Sequence, residues 1–223
     1  MDYSPVWISL KTTVTATVIT FFCGVLAAWW RLGCRKPLAG LMDALFLLPL
    51  ALPPTVVGLL LLLVFGRSSP AGRMLDGWGM SVIFSWEATV ITAVVASFPL
   101  MYLAAHAAFQ QIDHELLDVG RLLGLGEWRL LWTLLVPLAW PGILAGVTLS
   151  FVRALGEFGA TLMLAGNLPG RTQTIPLAIF FHVESGETMP AILLAFFTLL
   201  ISLIALLILR LPQSTQPFVR SPK

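Results

Sequence analysis

The strongest constraint on this chain is a series of long apolar runs, each close to the length needed to cross a bilayer. Five segments qualify, at residues 6–30, 43–65, 86–109, 138–159 and 189–211. A hydrocarbon core takes roughly 20 residues of helix to span. Composition agrees: 58% of the 223 residues are hydrophobic and 11% are charged, where a soluble domain carries about 25% charged residues to face water. Lipid therefore has to solvate the outside. Inside a bilayer each backbone group must be paired within its own segment, which predicts α-helical spans. The short alternating segments of a membrane barrel are not seen. The fold class expected is all-α, a polytopic membrane protein of about five transmembrane helices forming a single domain over residues 1–223.

The same composition excludes several classes. A net charge of +2 without a basic stripe gives no footprint for nucleic acid. Cys23 falls inside the first apolar run and Cys34 just past it, surroundings that predict two free thiols rather than a bridge. His106, His114 and His182 share no ligand spacing, so neither a metal site nor a cofactor is expected. No glycine loop with Lys-Ser/Thr for binding phosphates is present, and no Gly-x-Ser-Gly motif of an intramembrane serine protease. The chain opens with Asp2 and lacks a basic segment before its first run, which favours a retained first helix over a cleaved signal.

Orientation follows from the Lys/Arg bias of the connections. Arg31, Arg35, Lys36, Arg121, Arg129, Arg210, Arg220 and Lys223 fall on one side; Lys11, Arg67, Arg73 and Arg171 fall on the other. Eight against four predicts the N-terminus outside and the C-terminus inside. Pro49, Pro53 and Pro54 predict a kink or local break in the second span. Residues 162–188, punctuated by Asn167, Pro169 and Gly170, read as a partly re-entrant or interfacial segment on the outer face.

Residues 110–137 are too long and too patterned for an ordinary connection. Apolar residues at Leu116, Val119, Leu122 and Leu123 make a helical stripe. Acidic Asp113, Glu115 and Asp118 sit near its front, where the helix dipole favours them. Gly124 and Gly126 end or turn this helix, and a second amphipathic stretch from Trp128 is expected to stop at Pro137. From the residues alone, this hairpin reads equally as interfacial helices resting on headgroups or as a docking element for a partner.

The spacing of Asp118-Val119-Gly120, then Gly124, then Leu134-Leu135-Val136-Pro137 resembles the signature loop of ABC-importer permeases. In that loop glutamate-alanine-alanine stands where this chain has Asp118-Val119-Gly120. The run from Pro141-Gly142 through Phe151-Val152-Arg153-Ala154-Leu155-Gly156-Glu157-Phe158-Gly159-Ala160 is similar to the molybdate, tungstate and sulfate permeases. Leu52-Pro53-Pro54-Thr55-Val56-Val57-Gly58 and Ser97-Phe98-Pro99-Leu100 look like the molybdate branch. The resemblance implies a multi-pass protein of the bacterial inner membrane that acts as a homodimer. It further implies two ATPase subunits, a periplasmic oxyanion-binding protein and molybdate or tungstate as cargo. Asp118, Val119, Gly120, Arg121, Gly124, Trp128 and Pro137 would then form the ATPase-coupling loop. ATP hydrolysis would belong to the partner, so no catalytic residue is expected here.

Arg153 and Glu157 are four apart, a spacing that predicts one face of the fourth helix. Each charge near a helix centre costs roughly 2.5–3.5 kcal/mol on the insertion scale. The two must therefore pair, face the bundle interior or approach the interface. They read either as a packing ion pair or as part of the oxyanion path or its gate. The five threonines Thr12, Thr13, Thr15, Thr17 and Thr20 of the first helix read as packing residues. Two alternatives stay open: a sulfate or thiosulfate permease of the same architecture, and an ATP-independent secondary transporter. Against the latter, Glu157 is the only candidate coupling carboxylate and no internal duplication is evident.

Overall fold

A computed structural model of the chain describes residues 3–34, 36–79 and 81–210. Arg35, Arg220, Lys223 and the expected end of the fifth run at residue 211 lie outside the described residues. The elements are α1 (Ser4–Leu32), α2 (Lys36–Ala51), α3 (Pro54–Phe65), α4 (Pro70–Gly77), α5 (Trp86–Gln110), α6 (His114–Leu122), α7 (Glu127–Leu130), a π-helical turn (Leu131–Leu135), α8 (Val136–Leu138), α9 (Trp140–Leu155), α10 (Gly159–Ala165), α11 (Ile175–Glu184) and α12 (Thr188–Arg210). No strand occurs among the described residues. Among the described residues three helices, α1, α5 and α12, are long and apolar enough to cross a membrane alone; the total is five if each of two bent pairs counts as one span.

Helix α1 buries Ser9, Thr12, Thr13, Ala16, Thr17, Thr20, Gly24 and Ala28, a three-and-four spacing that puts all of them on one stripe. That stripe packs on α5, the most extensive interface in the molecule. Lipid tails are as apolar as leucine, so helices associate here through close backbone approach and hydroxyl bonding. Both occur. A Cβ added at Gly24 would lie 2.6 Å from Met101 Cγ and 3.2 Å from the Tyr102 backbone nitrogen. Thr12 Oγ1 bonds Thr89 Oγ1 at 2.9 Å and Thr20 Oγ1 bonds Ser97 Oγ at 3.1 Å, so these threonines knit the two helices.

The second span is broken, as its prolines predict. Helices α2 and α3 meet at 111°. Pro53 holds an extended conformation (φ −56°, ψ 139°) between them, because Pro54 bars its predecessor from helical geometry. The fourth span also departs from the continuous helix expected over 138–159. Its helix α9 covers Trp140–Leu155, and the helix before it joins at an 83° bend. Sixteen residues rise only about 24 Å, short of a roughly 30 Å core. Pro137 does not stop the preceding helix as expected; the helix runs on to Leu138 and the bend falls at Ala139.

Two short helices return between α9 and α12. Helix α10 packs on α3, where a Cβ at Gly58 would sit 2.8 Å from Ala160 Cα. Helix α11 packs its N-terminal half into the protein. Its Ile175, Leu177 and Ala178 are fully buried, and the Ile175 N–H donates to Ser9 Oγ of α1 at 2.7 Å. Helix α12 by contrast leaves Met189, Ile192, Phe196, Leu199 and Leu203 exposed, an apolar face suited to lipid or to a second protein chain.

Candidate functional site: a helical hairpin and an intramembrane ion pair

The α6–α8 hairpin forms from local signals. Asp113 caps α6, its Oδ1 accepting from the Glu115 N–H at 3.0 Å. Gly124 adopts φ +82°, the left-handed conformation that closes a helix and favours glycine. The Leu125 N–H then donates back to the Gly120 carbonyl at 3.1 Å. Arg121 clasps the two arms. It donates from Nη1 to Asp118 Oδ1 at 3.0 Å and from Nε to Glu127 Oε1 at 2.8 Å. This clasp holds the Glu127 carboxyl below the usual carboxylate range and raises the Arg121 guanidinium above its ordinary value, Glu127 being the larger cause and Asp118 the smaller.

The arms close tightly at Gly120, where a Cβ would lie 2.6 Å from Leu130 Cδ1. Leu117, Leu130, Leu131 and Leu135 are buried beneath the hairpin, in one cluster with Val25 and Ala28 of α1 and Met101 and Ala105 of α5. The hairpin is therefore rigidly continuous with the α1–α5 pair. Its outer surface is apolar and bare: Val119 and Trp128 are exposed, and Leu122 and Leu123 are 87% and 77% exposed. An exposed apolar patch of this kind marks a surface for a protein partner or for the membrane. Trp128 also packs edge-on against Trp29 of α1, ring centroids 6.1 Å apart.

The structure thus brings Asp118, Val119, Gly120, Arg121, Gly124 and Trp128 together in one knob. Pro137 lies at the far end of the hairpin, in α8, beyond the π-helical turn and beside the bend at Ala139. The π-helical turn itself has no signal in the sequence, since its residues Leu131–Leu135 read as ordinary amphipathic helix.

Arg153 and Glu157 do pair, Arg153 Nη1 to Glu157 Oε2 at 2.8 Å. They do not share a face of one helix as expected, because α9 ends at Leu155 and Glu157 lies past its end. Glu157 instead bridges the break. Its Oε1 accepts the Ala160 N–H at 2.9 Å, satisfying a free donor at the start of α10. Its side chain is 2% exposed, against 29% for Arg153. Beside the carboxylate, Ser9, Thr12, Thr13, Thr89, Thr161 and Thr174 line a cavity of about 10 Å³, room for about one water.

One functional-looking cluster escaped the sequence reading. Arg31 of α1 makes a bidentate pair with Asp43 of α2 at 2.8 and 2.9 Å, and the Tyr102 hydroxyl of α5 donates to the same carboxylate. It ties α2, the first half of the bent pair, to the α1–α5 frame. A charge at the head of an apolar run, with an opposite charge twelve residues earlier, was the available signal.

The class these features define is a polytopic helical membrane protein with an exposed helical hairpin. The chain matches, over residues 20–213, the family described as binding-protein-dependent transport system inner membrane component, and it belongs to that family. Among its relatives, the molybdenum transport system permease protein ModB of Escherichia coli is 40% identical over 209 residues, 93% of this chain and 91% of that one. ModB of Haemophilus influenzae is 38% identical over 212 residues, again 93% of this chain, and 92% of its own. Both are permease proteins, components of transport systems. The fold is shared with a chain of a bacterial alginate ABC transporter crystallised with an alginate-bound periplasmic protein. That chain has a TM-score of 0.73 at 14% identity, covering 92% of this chain and 76% of that one.

Proposed function

We propose that this chain is the membrane-spanning subunit of an ATP-binding-cassette importer that carries molybdate or tungstate across the bacterial inner membrane. The observation that carries the reading is the near full-length similarity to molybdenum permeases. Two copies enclose the path between them. The α6–α8 knob faces the cytoplasm and seats its exposed Leu122, Leu123 and Val119 in a cleft on an ATPase subunit, one for each copy. The N-terminus and the α4 and α11 side face the periplasm, where an oxyanion-binding protein delivers cargo. ATP hydrolysis takes place in the ATPase, and this chain supplies the moving walls.

Rigid coupling supports this division of labour. The knob's buried leucines share a cluster with α1 and α5, so displacement at the ATPase tilts that helix pair as a unit. The 83° bend at Ala139 and the 111° break at Leu52-Pro53 are the places where such tilting is absorbed. Arg153 attracts the dianion at the outer end of the path. Glu157, nearly out of solvent, keeps the guanidinium from holding that dianion too tightly.

The test is ATP hydrolysis by the chain reconstituted in liposomes with its ATPase and binding protein, comparing molybdate, tungstate and sulfate. Stimulation by molybdate or tungstate alone is expected. Stimulation by sulfate alone would transfer the mechanism to a sulfate permease. An ATPase that fails to bind the membrane chain would sink the coupling reading and favour an ATP-independent carrier.

A further inference from the structure

At the end of the bundle away from the hairpin, the structure holds a cavity of about 360 Å³, within the size range of small-ligand sites. Trp7, Ile8 and Lys11 of α1, Ser85, Trp86 and Glu87 at the start of α5, and Gly170 and Arg171 of the α10–α11 connection line it. Lys11 is held in place: its Nζ sits 3.8 Å over the Trp86 ring, an attraction that orients the ammonium without neutralising it. Arg171 forms no ion pair among the described residues. Glu87 is the one opposing charge, and its place in the first turn of α5 lets the helix dipole offset it. The cavity therefore carries net positive charge between two indoles.

Its position decides which anion it suits. Trp7 and Lys11 lie on the face of α1 opposite the threonine stripe that packs on α5. Below them the same face continues as exposed Leu10, Val14, Val18 and Phe22, one apolar strip running down the helix at three-and-four spacing. A free oxyanion has no use for that strip. A phospholipid does: its phosphate would sit between Lys11 and Arg171, its glycerol region against the indoles, and its acyl chains along the strip. Tryptophans at the membrane interface and lysines reaching up to headgroups are the usual partners of such a molecule.

We propose that this cavity is a binding site for the phosphate headgroup of an anionic phospholipid, formed by Lys11 and Arg171 and walled by Trp7 and Trp86. The bound lipid bridges α1, α5 and the α10–α11 connection, adding to the Trp86 Nε1–Thr12 Oγ1 bond that already joins the two helices there. It acts as a fixed filler between the long helix pair and the short helices α10 and α11.

The experiment is native mass spectrometry of the whole chain released from nanodiscs of phosphatidylglycerol and phosphatidylcholine in equal amounts, comparing the parent with K11Q/R171Q. The parent should retain phosphatidylglycerol over phosphatidylcholine, and the preference should fall by about five-fold for each cation removed. Thermal unfolding of both proteins in phosphatidylcholine alone checks folding, and a folded double variant with unchanged preference overturns the assignment. Added molybdate or inorganic phosphate should leave the lipid in place. Displacement by either ion would make the cavity a free-anion site and overturn the lipid reading. A K11R/R171K variant, which keeps both charges, should retain the preference; its loss would mean that the charge argument is wrong.

Discussion

Replacing Arg153 or Glu157 by glutamine should destabilise the protein unequally, and the structure gives the order. R153Q strips the cation from a carboxylate that is 2% exposed, leaving it only the Ala160 N–H. Removing one partner of a buried pair costs about 3–5 kcal/mol, because the remaining charge is neither solvated nor paired. E157Q does less harm. The glutamine carbonyl can still accept from Ala160, and the Arg153 guanidinium, 29% exposed, can turn toward water. The loss is then that of one hydrogen bond to a charged group, about 1.5–3 kcal/mol. R153Q/E157Q removes both charges, so it should be milder than R153Q alone, with the two effects far from additive. Unfolding of each purified variant in mixed detergent and dodecyl sulfate, followed by tryptophan fluorescence, gives the three free energies. An E157Q as damaging as R153Q, or a double variant equal to the sum, would refute the idea that Glu157 is the desolvated member bridging α9 and α10.

Three further outcomes can be checked. G58A should cost about 1–3 kcal/mol in the same unfolding assay, since its Cβ would meet the Ala160 backbone at 2.8 Å and backbone cannot rotate aside. G120A should be nearly neutral in stability and in co-purification with the ATPase. Its Cβ meets only side-chain ends, Leu130 Cδ1 at 2.6 Å and Leu125 and Leu134 at 3.6 and 3.7 Å, and alanine's helix preference of about 1 kcal/mol offsets the repacking. The Glu127 carboxyl is held below its usual value by Arg121, so its contribution is fully present above pH 4.5 and is lost only as pH falls through the lowered value. Hydrogen exchange of the 114–138 amides should then be protected equally at pH 6 and 8 after correction for intrinsic rate. R121Q should lower that protection at both.

Much of this architecture is local and therefore written in the chain. Five apolar runs, the proline break at Pro53-Pro54, the capped α6 and the glycine turn at Gly124 each depend on residues within a few positions of one another. Lipid exposure, capping and φ restriction act at that range. The Arg153–Glu157 pair was one of three outcomes the residues allowed, because two charges in an apolar run must pair, face the bundle interior or approach the interface. Its geometry was not legible: spacing by four assumes an unbroken helix, whereas α9 ends at Leu155 with Gly156 as its cap and Glu157 accepts the Ala160 N–H of α10. The same holds for the Arg31–Asp43–Tyr102 knot and for burial of α11, which join segments far apart in sequence. Sequence determines which stretches must be helical. Which faces meet, and so which charges are desolvated, is decided by tertiary packing, because burial is a property of neighbours that local pattern does not name.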